Sequence, residues 1–300
     1  MLCIVRVATV VLVLAGCGRW NFDATRTEGD AASVDVPADA PACDPGAPFG
    51  APVPIVELNT LVADGTLRLL PDELSGYFWS RTSGTARIYH AARDSLGEPF
   101  TVMPVTGLST ADHDLDPSLA TDGSVFVFRH NIPGDELWTA RRVDAVTFAS
   151  PLPMTNINLP SVDQQPYVLG AAEALVFSSD RNGANFDLWL STRTGSVFGT
   201  PVRLVDLNLG GSAEGDPVLS SDGLTIYFRS NRAGGPGQFD IYAATRISKT
   251  ALAFEPPVLV PNINSPVDDG PSWISPDGCR LYLSSDRDGT IDIFVATRGS

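Results

Sequence analysis

Acidic residues recur at one offset along this chain. Asp114, Asp163, Glu214 and Asp268 each stand three residues ahead of a proline, and Asp64 occupies the aligned position earlier on. Carboxylates repeated once per structural unit can be gathered by folding into a ring. Such a ring would bind a cation, or a basic or polyhydroxyl ligand, and mutual repulsion would raise some of its pKa values. The same regularity has a plainer reading, which we prefer. An acid that serves every unit caps loop N–H groups or pairs with Arg181, Arg232 and Arg287, whereas a catalytic centre breaks symmetry. The departure from symmetry is Asp112-His113-Asp114-x-Asp116, the one His–carboxylate cluster, so His113 joins the ligand-binding candidates. A single histidine without a paired partner does not make a zinc site. The loops SSDRNGANFD and SSDRDGTID crowd Asp180, Asp187, Asp286, Asp288 and Asp292 around a glycine. They lack the ligand order of a calcium loop and read as turn caps. No G-x-S-x-G, phosphate loop, dinucleotide fingerprint or CxxC is present. No catalytic residue, metal or cofactor is therefore expected, and the chain reads as not an enzyme.

The elements that must position these residues are repeated too. The stretch DPVLSSDGLTIYFRSNRAGGPGQFDIYAATR, Asp216 to Arg246, holds a strand, an Asp-Gly turn, a second strand, a polar loop and a third strand. The closing arginines Arg93, Arg141, Arg193, Arg246 and Arg298 are spaced by 48, 52, 53 and 52 residues. A period near 50 residues with about four strands per unit predicts a β-propeller. Each unit opens on Phe and Pro, as at Phe148–Pro151, Phe198–Pro201 and Phe254–Pro257. Proline suits the outermost strand, where a missing N–H is harmless. Asp122-Gly123, Asp222-Gly223 and Asp277-Gly278 supply the positive φ of a tight hairpin. Units one and three carry Asp72-Glu73 and Ala171-Ala172 there, and their turns are expected to differ. The second strands are continuously apolar and should be buried on both faces. Tyr89, Trp138, Trp189, Tyr242 and Phe294 recur on the third strands, where packing between blades is the expected role.

Five outer strands and five triplets are present, but the first outer strand precedes any triplet and the last triplet has none after it. The solution is an all-β, five-bladed propeller of four-stranded blades over residues 49–300, closed by the N-terminal strand Phe49–Leu58 pairing with the last blade. Closure removes exposed edges. It also sets Cys43, just before the closing strand, near Cys279, at the turn of the blade which that strand completes. A Cys43–Cys279 disulfide is therefore expected.

Residues 1–16 are a targeting segment: one basic residue, the apolar run VATVVLVLA, then Leu14-Ala15-Gly16-Cys17. This resembles a bacterial lipobox, which implies acylation of Cys17, and Gly18 after it points to the outer membrane. Residues 17–48, rich in Ala, Asp and Pro, form a tether that cannot bury enough surface to fold alone. The net charge of −15 repels nucleic acid and anionic headgroups, so membrane contact is expected through the lipid only.

The motif D-x-x-P-x-x-S-x-D-G-x-x-[IL]-[YF]-F-S-S-D-R-x-G-x-x-D-[IL]-[YW] resembles the TolB-type, WD40-like propeller repeat of bacterial envelope proteins. Units four and five carry it best, unit three through Phe177–Trp189, while units one and two lack the arginine at the Arg181, Arg232 and Arg287 position. The resemblance implies a periplasmic propeller. The expectation is a monomeric, lipid-anchored, non-enzymatic interaction module that meets a protein partner in the envelope. The alternative is a carbohydrate-binding or carbohydrate-cleaving propeller using carboxylates at the channel mouth, a site that should also expose aromatic platforms.

Overall fold

The computed structural model describes residues 43–108, 112–131, 134–183 and 185–299. The expected targeting segment, Cys17 with its expected acylation, and the expected tether up to residue 42 lie outside these residues. The described residues form five antiparallel sheets arranged as the blades of a propeller, without helices.

Blade one comprises Asp64–Leu69, Ser75–Ser80, Arg87–Ala92 and Thr101–Pro104. Blade two comprises His113–Leu119, Phe126–Asn131, Glu136–Arg142 and Phe148–Pro153. Blade three runs through Asp163–Leu169, Ala174–Ser179 and Asp187–Thr194 to Val202–Arg203, with a short extra strand, Val197–Phe198. Blade four comprises Glu214–Leu219, Thr225–Ser230, Asp240–Thr245 and Val258–Leu259. Blade five has Asp269–Ile274, Arg280–Ser285 and Asp292–Thr297. Its outer strand is Val53–Pro54, with Val53 opposite Val295 and Pro54 opposite Phe294. Ring closure by the N-terminal strand thus stands as expected.

The repeated Phe and the closing arginine turn out to be one device. The guanidinium of Arg93 lies 4.3 Å from the ring of Phe100, that of Arg246 5.1 Å from Phe254, and that of Arg298 3.9 Å from Phe49. Phe49 therefore does for blade five, from the other end of the chain, what the next residues in sequence do elsewhere. Cys43 and Cys279 are disulfide-bonded, with Cα atoms 6.0 Å apart. The Asp44 N–H donates to Gly299 O at 3.1 Å, so residues 43–48 are held against blade five.

The second strands are largely buried, Ala174–Ser179 at every position, and the inner strands are drier still, with Asp64–Leu69, Asp163–Leu169 and Asp269–Ile274 buried throughout. The expected difference in the turns is half corrected. Blade three does differ, with Gly170 and Ala172 both at positive φ. In blade one, however, Glu73 sits at φ 60°, matching 72° for Gly123 and 70° for Gly223, and makes the same turn. The hairpin imposes a left-handed residue whatever its type, and Glu73 has a use that offsets the strain. Its carboxylate accepts from Arg280 Nε at 2.8 Å and Tyr282 Oη at 3.0 Å, binding blade one to blade five.

Candidate functional site

A bulge interrupts each inner strand. In blades one to four the residue two beyond the acid takes positive φ: Thr66, Asp116, Gln165 and Asp216. None is glycine, so the fold holds four left-handed side-chain-bearing residues around its axis. In blades two to four the prolines Pro117, Pro166 and Pro217 lie within these bulges, inside the inner strands. Blade five has one residue fewer between acid and proline. The D-x-x-P spacing predicts Asp268, but the acid in register is Asp269, opposite Ser285 as Asp163 is opposite Ser179.

The equivalent acids are Asp64 and Asp163, 0% exposed, and Asp114, Glu214 and Asp269, 1% exposed. In blades three to five each is held by one arginine in one geometry. Arg181 donates from a terminal nitrogen to Asp163 at 2.5 Å and to Ile157 O at 2.9 Å, and from Nε to Ser179 Oγ at 2.8 Å. Arg232 makes the same set with Glu214, Leu207 O and Ser230, and Arg287 with Asp269, Ile263 O and Ser285. Beneath each guanidinium lies the third-strand aromatic: Trp189 at 5.2 Å, Tyr242 at 5.0 Å and Phe294 at 5.0 Å. These aromatics floor the clamps.

Blade two replaces the arginine. His130 Nδ1 lies 2.8 Å from Asp114 Oδ1, and its ring packs 4.7 Å from Trp138. Burial is the largest influence on Asp114 and pushes its carboxyl up, with the His130 hydrogen bond opposing. Burial also pushes Glu214 up, against Ser230 and Arg232. His113, the sequence candidate, accepts the Ala86 N–H on Nδ1 at 2.9 Å and caps the neighbouring blade. Asp268 accepts the Phe239 N–H at 3.2 Å. Sequence reasoning missed His130, whose signal is visible only once it is aligned with Ser179, Ser230 and Ser285.

It also missed the axis. Arg68 of blade one is buried and reaches Ser272 O in blade five, Pro166 O in blade three at 3.4 Å and Pro217 O in blade four at 3.3 Å. It therefore crosses the channel and plugs it. Burial lowers its pKa to about 10. Above it, Thr66 Oγ1 donates to Asp116 Oδ1 at 3.0 Å, Arg129 Nε lies 3.1 Å from Asp116, and Arg229 Nε lies 3.0 Å from Asp216. Burial raises the Asp216 carboxyl, with Arg229 opposing and Asp116 reinforcing. Beside this mouth, Asp216, Arg229, Asp268, Ser284 and Asp286 line a cavity of about 90 Å³.

Solved structures share this fold. TolB from Acinetobacter baumannii matches with TM-score 0.51 and 20% identity over 81% of this chain, which spans 57% of that protein's length. An endo-arabinase from Bacteroides thetaiotaomicron matches with TM-score 0.56 and 12% identity, covering 84% of this chain and 97% of that one. The arabinofuranosidase of Podospora anserina, solved with cellotriose, matches with TM-score 0.53 and 9% identity, covering 86% and 98%. No protein-family model and no curated protein matches the chain. At these identities the likeness is one of fold. It nevertheless corrects the expectation that the chain is not an enzyme. Nearly the whole of two glycoside hydrolases has this architecture, so the propeller gives no ground for excluding catalysis.

Proposed function

We propose that this is a cell-envelope propeller, tethered to the outer membrane through a lipid on Cys17 and facing the periplasm, that binds a protein partner on the face where the inner strands begin. The observation that supports it is the character of the exposed apolar surface. Among the described residues every exposed large hydrophobic side chain is aliphatic, and no aromatic ring is among them. Leu61, Leu159, Leu209 and Ile291 stand on that face, Leu61 at 99% exposure. Leu159 borders an open depression of about 560 Å³ shared with Glu136, Val162, Asp180 and Arg181. Aliphatics among acidic loops suit a partner with apolar and basic groups, whereas sugar binding draws on ring faces.

Photo-crosslinking in intact envelopes tests this, with the probe at Leu61, at Leu159 and, on the opposite face, at Ile247. The same protein adduct from both leucines and none from Ile247 is expected. Absence of any protein adduct, or adducts from Ile247 alone, removes the reading.

A second reading rests on Asp116 and Asp216, two carboxylates held at the axial mouth close enough for one to raise the other. Such a pair could orient a carbohydrate. Titration with arabino-oligosaccharides tests it: binding that is lost in both Asp116→Asn and Asp216→Asn would transfer the function to the channel.

A further inference from the structure

The five seams between blades are built alike, and one lacks an element that the others have. At each seam the acid of one blade donates its N–H to the residue just before the third strand of the preceding blade. Asp114 pairs in this way with Ala86, Asp163 with Asp135, Glu214 with Phe186, Asp269 with Phe239 and Asp64 with Ile291. The acid therefore always lies beside the first residue of that third strand: Arg87, Glu136, Asp187, Asp240 and Asp292, respectively.

Four seams hold a cationic or protonatable partner. Blades one and two have Arg87 and His130. Blades two and three have Arg181. Blades three and four have Arg232 on Glu214, and Arg203 bidentate on Asp187 at 2.7 and 2.9 Å. Blades four and five have Arg287. The seam between blades five and one brings together Asp64 and Asp292 and, among the described residues, no cation. Thr82 occupies the arginine position, its hydroxyl bonded to Ser80. One oxygen of each carboxylate is oriented by its own loop: Thr60 N and Oγ1 donate to Asp64 Oδ2 at 2.6 and 2.8 Å, and Thr290 Oγ1 to Asp292 Oδ2 at 3.3 Å. The other two, Asp64 Oδ1 and Asp292 Oδ1, are buried without a hydrogen-bond partner. Asp64 is 0% and Asp292 9% exposed. Two buried carboxylates left without a counter-charge are strongly unfavourable.

We propose that the seam between blades five and one is a calcium site, in which a Ca²⁺ ion bridging Asp64 Oδ1 and Asp292 Oδ1 supplies the charge that arginine supplies at the other seams. The ligand chemistry is that of a hard cation. The donors are oxygens only: two carboxylates come from the seam, and carbonyls and water would complete the shell. The site lies at the seam where the ring closes, so loading it would fasten the two ends of the propeller.

The test is thermal unfolding of the full chain at pH 7.5 in EDTA, in 10 mM CaCl₂ and in 10 mM MgCl₂, with calorimetric titration of CaCl₂. One ion per chain at sub-millimolar affinity raises the melting temperature by about 5 °C in calcium. Magnesium gives a smaller rise. Asp292→Asn weakens calcium binding at least tenfold. Thr82→Arg, which restores the missing guanidinium, melts higher than the wild type in EDTA and no longer responds to calcium. Equal melting temperatures in EDTA and calcium would overturn the proposal. So would an undiminished calcium response in Asp292→Asn or Thr82→Arg. Stabilisation by acid but not by calcium would show that the two carboxyls share a proton instead.

Discussion

Blades three, four and five hold their buried acids with a guanidinium, whereas blades one and two do not. The backbone position, burial and neighbouring strand are the same in all five, so the difference isolates the counter-charge. Arg181, Arg232 and Arg287 each join three partners: the acid, a carbonyl of the incoming loop and a second-strand serine. Such a clamp is permanently charged and rigid. In blade two the clamp is an imidazole, and in blade one Asp64 has only Thr60 for company. The repeated part of the pattern builds the disc, and the exceptions are where its properties can be tuned.

The largest effects should come from the clamps. Removing one partner of a buried pair leaves an uncompensated charge, so Arg181→Gln, Arg232→Gln or Arg287→Gln should each cost about 4 kcal/mol in urea unfolding. His130→Gln should cost about 1 kcal/mol, because one hydrogen-bonding side chain is exchanged for another. Equal costs in blades two and three would erase the distinction.

Next comes the seam that has no clamp. Fastenings at the turn ends of the strands take its place: Glu73 with Arg280 ties blade one to blade five, while the Cys43–Cys279 bridge and Arg298 on Phe49 hold the closing strand to blade five. Cys43→Ser with Cys279→Ser should cost about 3 kcal/mol, since the bridge closes almost the whole domain. Glu73→Gln should cost about 2 kcal/mol, the value of hydrogen bonds to a charged group. Hydrogen exchange should quicken first in Asp292–Thr297 for both variants. Uniform quickening around the ring would mean that this seam is no weaker than the rest.

Period and composition made the architecture legible before any coordinates. Strand order, the closing strand and the disulfide all follow from counting units and asking where the unpaired strand must go. The site was legible in part. The acids stood out because each repeats at one offset, but offset alone could not distinguish Asp268 from Asp269. A one-residue deletion in a bulge leaves the acidic pair in sequence and changes which member enters the seam. Arg68 carried no local signal, and Asp116 and Asp216 stood out only as a cluster member and a repeat start, because their importance lies in contacts between blades that are distant in sequence. The pins made by Asn59, Asn158, Asn208 and Asn264 are a clearer loss. Each side chain bonds both backbone groups of one third-strand residue, Ile293, Leu137, Leu188 and Ile241 in turn. Their regular place ahead of each acid was there to be read.

The smallest effect tests how completely the imidazole clamp of blade two offsets burial. Burial holds the Asp114 carboxyl above its ordinary value, and His130 and Arg87 offset this only in part. A carboxyl whose pKa is higher in the folded than in the unfolded chain binds protons more tightly when folded. Its contribution to stability is complete below the unfolded value, about 3.9, and is lost as pH rises through the folded value. Asparagine does not titrate, so the difference between the two proteins reports the Asp114–His130 pair. The stability of Asp114→Asn relative to wild type should therefore improve as pH is raised from 4 to 7, in urea unfolding at unit intervals. A difference that stays constant, or that moves against the variant, would mean that His130 and Arg87 offset the whole cost of burying this carboxyl.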